Sequence, residues 1–296
     1  MNFEYWYMLP IATLISTIAM ASGVEGGTFF APIFMLALGL PPEVAIGAAL
    51  ITEVFGFSSG LVAYSRKKLI DYRLGLMLLT ATVPAALVGT WAAGWIDPNL
   101  LKIVFSVGLI AIAVSFLGAS PHEQTAPVMA IEGMNAIANE GQEACIVTAE
   151  GKTFRYTINN PLQGQLVAGL GGVLIGLLST GLGEVNGFYL LKICRMPSQV
   201  AIATNVFIVA VTALIASCGH FVNFVQQGGE TLETVLSLVS FTVPGVIIGG
   251  QLGSYVASRI PQQSLERGLA VLFTLVAAIT LGQFFLSGTP IVAQVN

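Results

Sequence analysis

Long apolar runs joined by short polar segments fill most of the chain. They are Trp6–Ala21, Val44–Tyr64, Leu74–Ile96, Leu100–Leu117, Leu166–Thr180, Val200–Phe224, Leu232–Val256 and Leu269–Leu286. A helix needs roughly 20 apolar residues to cross a hydrocarbon core, and most of these runs are of that order. They are too long for strands, and the alternation of a membrane barrel is missing. Two shorter apolar pieces, Thr28–Leu40 and Asn186–Ile193, follow glycine-rich breaks. The pattern predicts an all-α polytopic membrane protein with interrupted helices.

The pattern also repeats. "PPEVAIGA" at Pro41–Ala48 returns as "MPSQVAIAT" at Met196–Thr204, and "TVPAALVG" at Thr82–Gly89 returns as "TVPGVIIGG" at Thr242–Gly250. Each half has one broken segment in the corresponding place, Ser22–Pro32 and Ser179–Phe188. This divides the chain into a first transmembrane repeat over 1–118, a polar loop over 119–161 and a second repeat over 162–296. Duplicated apolar halves with matched interruptions are the sequence pattern of a secondary transporter. Pro84 and Pro244, equivalent and mid-span, predict a kink in each half.

Charge sets the orientation. Arg66, Lys67, Lys68 and Arg73 follow the span Val44–Tyr64, whereas the matching loop Phe224–Thr234 carries only Glu230 and Glu233. Lys192 and Arg195 instead precede the matching span, and Arg259 and Arg267 come one span after that loop. Basic loops collect in the cytoplasm, so the halves are expected to be inverted, with the N-terminus outside and Gly118–Pro161 cytoplasmic. Lys102 alone runs against this. Inversion requires an odd number of crossings per repeat, so the broken segment and the span before it form an out-and-back hairpin. Tyr5, Trp6 and Tyr7 suit the headgroup level, and the acidic start, with Glu4, is unlike a cleaved signal peptide. The expected location is the inner (plasma) membrane.

Composition agrees. The chain is 55% hydrophobic and 9% charged, against about 25% charged in soluble domains. No basic tract points to nucleic acid. Cys145, Cys194 and Cys218 are odd in number and lack metal spacing, so neither disulfides nor zinc are expected, and Cys194 and Cys218 read as small fillers. His220, near a span end, reads as interfacial. In the polar loop, Glu143–Ile158 alternates around Glu150-Gly151-Lys152, a β-hairpin pattern. It is either an insertion packed on the helices or a cytoplasmic flap.

The candidate chemistry lies in the breaks. Gly23, Gly26 and Gly27 in one half, and Gly181, Gly183 and Gly187 in the other, interrupt apolar helix. Irregular backbone at membrane depth survives only against protein or a water-filled cavity. Unwinding frees N–H groups of the next half-helix, which bind anions. With Thr28, Asn186, Thr204 and Asn205, the glycines Gly23, Gly26, Gly27, Gly183 and Gly187 form the expected substrate site, unless they serve only close helix packing.

Gly23-x-x-Gly26-Gly27 before an aromatic and Pro32, then "LGLPP" and the "AIGAA" or "AIATN" run, resembles the TauE/SafE sulfite exporter family, also called the 4-toluene sulfonate uptake permease family. The resemblance covers nearly everything outside Gly118–Pro161. It implies a secondary transporter of a small sulfur-containing anion: sulfite, an organosulfonate, thiosulfate or sulfoacetate. The family pattern is nearly all glycine at the break, whereas this chain has Glu25 and Glu184 there and Glu53 on a span. Ionisable residues inside spans are functional candidates. An ionised carboxylate repels an anion, so the three acids predict either proton coupling or a cation site; the plainer role is helix capping for Glu25 and Glu184 and an interhelical hydrogen bond of a protonated acid for Glu53. The alternative function is therefore a cation or proton channel or exchanger. Two histidines and no catalytic cluster argue against an enzyme, and the absence of a Walker motif argues against ATP-driven transport. No cofactor or metal is expected. The partners are the lipid bilayer, the substrate and protons.

Overall fold

The computed structural model describes residues 5–22, 25–97, 142–158 and 160–256, with scattered positions in 100–114 and 271–282. The expected spans Leu100–Leu117 and Leu269–Leu286, most of the polar loop, and Arg259 and Arg267 thus lie wholly or largely outside the described residues.

The first half contains α1 (Met8–Ser22), α2 (Gly27–Leu36), α3 (Pro42–Arg66) and α4 (Tyr72–Ala93). Strands β1 (Gln142–Val147) and β2 (Thr153–Ile158) follow. The second half contains α5 (Pro161–Leu178) and α6 (Leu182–Phe188), which continues as a π-helical turn, Tyr189–Ile193. Helices α7 (Ser198–Gln227) and α8 (Gly229–Val256) complete it. Among the described residues five helices, α3, α4, α5, α7 and α8, are long and apolar enough to cross a membrane. Their ends follow local chemistry. Pro42 and Pro161 sit in first turns, where a missing N–H costs nothing. The Asp71 side chain accepts from Leu74 N and caps α4. Gly228, at φ +62°, ends α7. Helices α4 and α8 run on through Pro84 and Pro244.

Contacts fix the helix directions. A Cβ at Gly245 would meet Leu9 O and Thr13 N, and one at Gly249 would meet Thr13 O and Thr17 N. The contacts advance together, so α8 and α1 run the same way. Thr52 and Thr242 hydroxyls pair at 2.8 Å, and Gly56 faces Val246, so α3 runs with α8. Gly172 faces Thr82 and Gly176 faces Ala86 and Thr90, so α5 runs with α4. Thr82 pairs with Thr212 at 3.0 Å, and Gly75 meets Phe207, so α7 also runs with α4. Across the middle, Gln227 reaches Glu43 while Gly47 meets His220 and Phe224. Helices α3 and α7 are therefore opposed.

By sequence, α1, α3 and α4 correspond to α5, α7 and α8, and each helix runs opposite to its counterpart. The interfaces match in detail. Gly249 on Thr13 and Thr17 is the same contact as Gly89 on Val173 and Leu177, at one constant displacement along the chain. Small residues allow this backbone-to-backbone approach. Gly249→Ala and Gly89→Ala should each lower the thermal midpoint in detergent by a similar amount, since overpacking costs about 1–3 kcal/mol. Gly169→Ala, with nothing nearer than the Ala81 Cβ at 4.0 Å, should not.

The segment over Glu143–Ile158 is an antiparallel hairpin, with Cys145 opposite Arg155. A lone hairpin is marginal in water, but this one leans on the helices. Ala149 N donates to Lys67 O at 3.1 Å. Tyr156 and Ile158 are buried in the cluster that holds Leu69, Ile70, Cys194 and Met196.

Candidate functional site at the crossing of the two breaks

The two interrupted segments touch. Helix α5 ends at Ser179 in the left-handed region (φ +57°), and Gly181, at φ +104°, turns the chain into α6. The first residue of α2, Gly27, lies so close to the Ser179 carbonyl oxygen that no Cβ fits between them. One position on, the Thr28 and Thr180 hydroxyls are hydrogen-bonded. Gly183 N donates to Glu25 Oε1, and Asn205 Nδ2, from α7, donates to Gly183 O at 2.8 Å. A carboxylate from one half thus holds the backbone of the other.

Two more acids complete the cluster. Glu53, on α3, lies against Gly26 and Gly27: its Oε2 is 2.8 Å from where a Gly27 methyl would sit. The carboxylate is beside the N–H groups of both glycines, yet neither oxygen reaches hydrogen-bonding geometry. Glu184 Oε2 accepts from Gly181 N at 3.2 Å, closing its own helix start. Glu184 is partly exposed as a residue, but its Oε1 is buried. Glu25 is within electrostatic reach of Glu184 and Glu53.

Ten buried side-chain nitrogen and oxygen atoms lack a hydrogen-bond partner among the described residues, and eight belong to this crossing. They are Glu25 Oε2, both Glu53 oxygens, Ser179 Oγ, Glu184 Oε1, both amide atoms of Asn186 and Asn205 Oδ1. Buried polar groups are ordinarily paired, so their concentration sets this crossing apart from the rest of the described core. Most are acceptors. No lysine or arginine is among the buried described residues, so no buried basic side chain among them balances the three acids. A small cavity of about 20 Å³, room for one water, adjoins Glu53, Ser16 and Gly26. A larger cavity of about 770 Å³, whose lining does not include Glu25, Glu53 or Glu184, opens between Glu43, Thr90, Trp91, Trp95 and Asn223.

Of the residues expected from the sequence, Glu25, Gly26, Gly27, Thr28, Glu53, Gly183, Glu184 and Asn205 meet here, and Asn186 is fully buried on α6. Gly187 is near Asn205 with space to spare. Gly23 lies outside the described residues. Thr204 is buried, but its hydroxyl turns to the α3–α4 loop and accepts from Asp71 N at 2.9 Å. Some N–H groups of the second break are already used. Those of Gly181 and Gly183 are taken by Glu184 and Glu25, because a carboxylate carried on the breaks is always at hand. Sequence reasoning missed Ser179 and Thr180, although both stand inside the second break as polar residues ending an apolar run. His220, expected at an interface, is fully buried within the protein, with Nε2 3.1 Å from Gly176 O, on a helix that runs on to Gln227. Cys194 is buried, whereas Cys218 is exposed and fills no core gap.

The family model for sulfite exporter TauE/SafE matches residues 8–280. The probable membrane transporter protein YunE of Bacillus subtilis (strain 168) is 23% identical over 279 residues, covering 91% of this chain and 94% of that protein. No solved structure matches the chain.

Proposed function

The chain belongs to the TauE/SafE sulfite exporter family, and from that premise we propose that it moves a small sulfur-containing anion across the membrane together with protons. Family membership makes it a membrane transporter. The substrate class (sulfite, an organosulfonate, thiosulfate or sulfoacetate) and the coupling are our reading. The observation that carries the reading is the cluster of unpartnered buried polar atoms where the two breaks cross. Opposed counterpart helices support inverted repeats about a pseudo-two-fold axis in the membrane plane, with the break crossing on or near that axis. The basic α3–α4 loop and the hairpin lie at one end, which we assign to the cytoplasm, leaving the N-terminus outside.

Protons resolve the sign problem. An ionised carboxylate repels an anion, but a protonated one donates a hydrogen bond to it. Glu25, Glu53 and Glu184 would take up protons as the anion arrives, alongside the Ser179 hydroxyl and the Asn186 amide. The membrane potential already drives a monoanion outward by ~2.3 kcal/mol per 100 mV, so proton coupling serves uptake. The excess of acceptors favours one competing reading, a cation or proton pathway. Flux of labelled sulfite, an alkylsulfonate and sodium into liposomes holding the full chain separates them. The expected result is anion uptake that grows with an inward proton gradient. Sodium flux without anion flux would establish the cation reading instead.

A further inference from the structure

We propose that Asp71, gripped by Tyr156 of the hairpin, is a positioning residue that holds the amino-terminal end of α7, and with it Thr204 and Asn205, against the break crossing. Three bonds converge on Asp71. Its Oδ1 caps α4 by accepting from Leu74 N at 3.0 Å. Its Oδ2 accepts from the Tyr156 hydroxyl at 2.5 Å. Its backbone N–H donates to Thr204 Oγ1 at 2.9 Å. The next residue, Asn205, holds Gly183 O, and Gly183 N–H goes to Glu25. A continuous path of hydrogen bonds and adjoining backbone therefore runs from the hairpin to the acid cluster.

The path is more than an anchor for the hairpin. Tyr156 and Asp71 are both buried, at 7% and 8% exposure, so their bond is a shielded hydroxyl–carboxylate pair, stronger than a neutral one. Burial, and then the bond to Asp71, push the Tyr156 phenol well above its ordinary value, so it remains the donor at any physiological pH. Helix capping needs only one carboxylate oxygen. The second oxygen and the backbone N–H tie two otherwise separate elements, the hairpin and α7, to one residue. With these bonds made, the hairpin end of the site is clasped shut. Admitting substrate from that side requires the clasp to open. This role at the site rests on the transport reading above, whereas the clasp itself is testable without substrate.

Cys194 provides the readout, since it is 3% exposed and packs in the same cluster as Tyr156. The full chain carrying Cys145→Ser and Cys218→Ser is reconstituted, and the rate of N-ethylmaleimide labelling at Cys194 is measured. Loss of one charge-assisted hydrogen bond should raise that rate about tenfold in Tyr156→Phe. Asp71→Asn, which retains the cap and the N–H to Thr204 and turns a neutral amide donor toward the Tyr156 oxygen, should raise it less, and the double variant should label no faster than Tyr156→Phe alone. Thr204→Val, which keeps the shape but loses the acceptor, should raise the rate similarly, and Thr204→Ser should label as the parent does. Unchanged labelling in Tyr156→Phe, or multiplied effects in the double variant, would overturn the clasp. Unchanged labelling in Thr204→Val would reduce Asp71 to a hairpin anchor. If the parent moves no anion, the transport reading fails while these rates still decide the clasp.

Discussion

Gly27→Ala should abolish transport, at least about a hundredfold, whereas Gly26→Ala should leave it within about twofold. The two glycines are adjacent and look interchangeable in the sequence. Their surroundings differ. A methyl on Gly27 would overlap the Ser179 carbonyl oxygen and stand 2.8 Å from Glu53 Oε2. The carbonyl belongs to the end of α5, which is locked backbone-to-backbone with α4 through Gly172 and Gly176, so it cannot retreat alone. A methyl on Gly26 meets the Phe30 ring at 3.5 Å and Glu53 Oε1 at 4.0 Å, ordinary contacts. Gly26 also has helical φ and ψ, so alanine costs no strain there. The second half has the same division. At Gly183 a methyl would meet Glu25 Cγ at 2.9 Å, while at Gly187 nothing lies closer than Asn205 Nδ2 at 3.9 Å. Gly183→Ala should therefore be severe and Gly187→Ala mild. Initial uptake rates in liposomes, normalised to monodisperse protein, test this. An active Gly27→Ala variant, or a dead Gly26→Ala, would mean that contact between the breaks does not build the site.

This contrast shows where the sequence stops being informative. That helices start at Pro42 and Pro161, and that the chain breaks near Gly27 and Gly181, follows from local chemistry, which neighbouring residues dictate. The acids stood out because ionisable residues are costly in apolar spans. Which glycine is indispensable depends on a carbonyl in the other half, and no local pattern encodes it. The same limit applies to the N–H groups. Reading one break at a time leaves its donors free for a ligand, but Glu25 answers a donor from the opposite break, 158 residues away. Asp71 was harder still. Its loop has ordinary composition and its partner Tyr156 is 85 residues on, so only the fold brings them together.

Glu25→Gln and Glu184→Gln should keep substrate binding but flatten its dependence on pH. If the anion binds with protons, its apparent affinity rises as pH falls, by up to about tenfold per pH unit for each linked proton. Glutamine at position 25 retains an acceptor for Gly183 N–H and places an amide donor where Oε2 now lacks a partner. It thus imitates a permanently protonated acid. Position 184 behaves alike, with the acceptor for Gly181 N–H kept and a donor at the buried Oε1. Each variant should lose one proton's share of the slope while binding the anion at neutral pH at least as well as the parent. Uptake driven by a pH gradient should then fall about tenfold or more, since the gradient no longer does work through that residue, whereas exchange of substrate for substrate continues. Glu53→Gln is the sharper case, because among the described residues neither Glu53 oxygen has a hydrogen-bond partner to preserve. Binding isotherms and liposome uptake from pH 5 to pH 8 measure both quantities. Parental slopes in all three variants would return Glu25 and Glu184 to the role of helix caps, make Glu53 a structural acid of α3, and leave anion movement to the membrane potential alone.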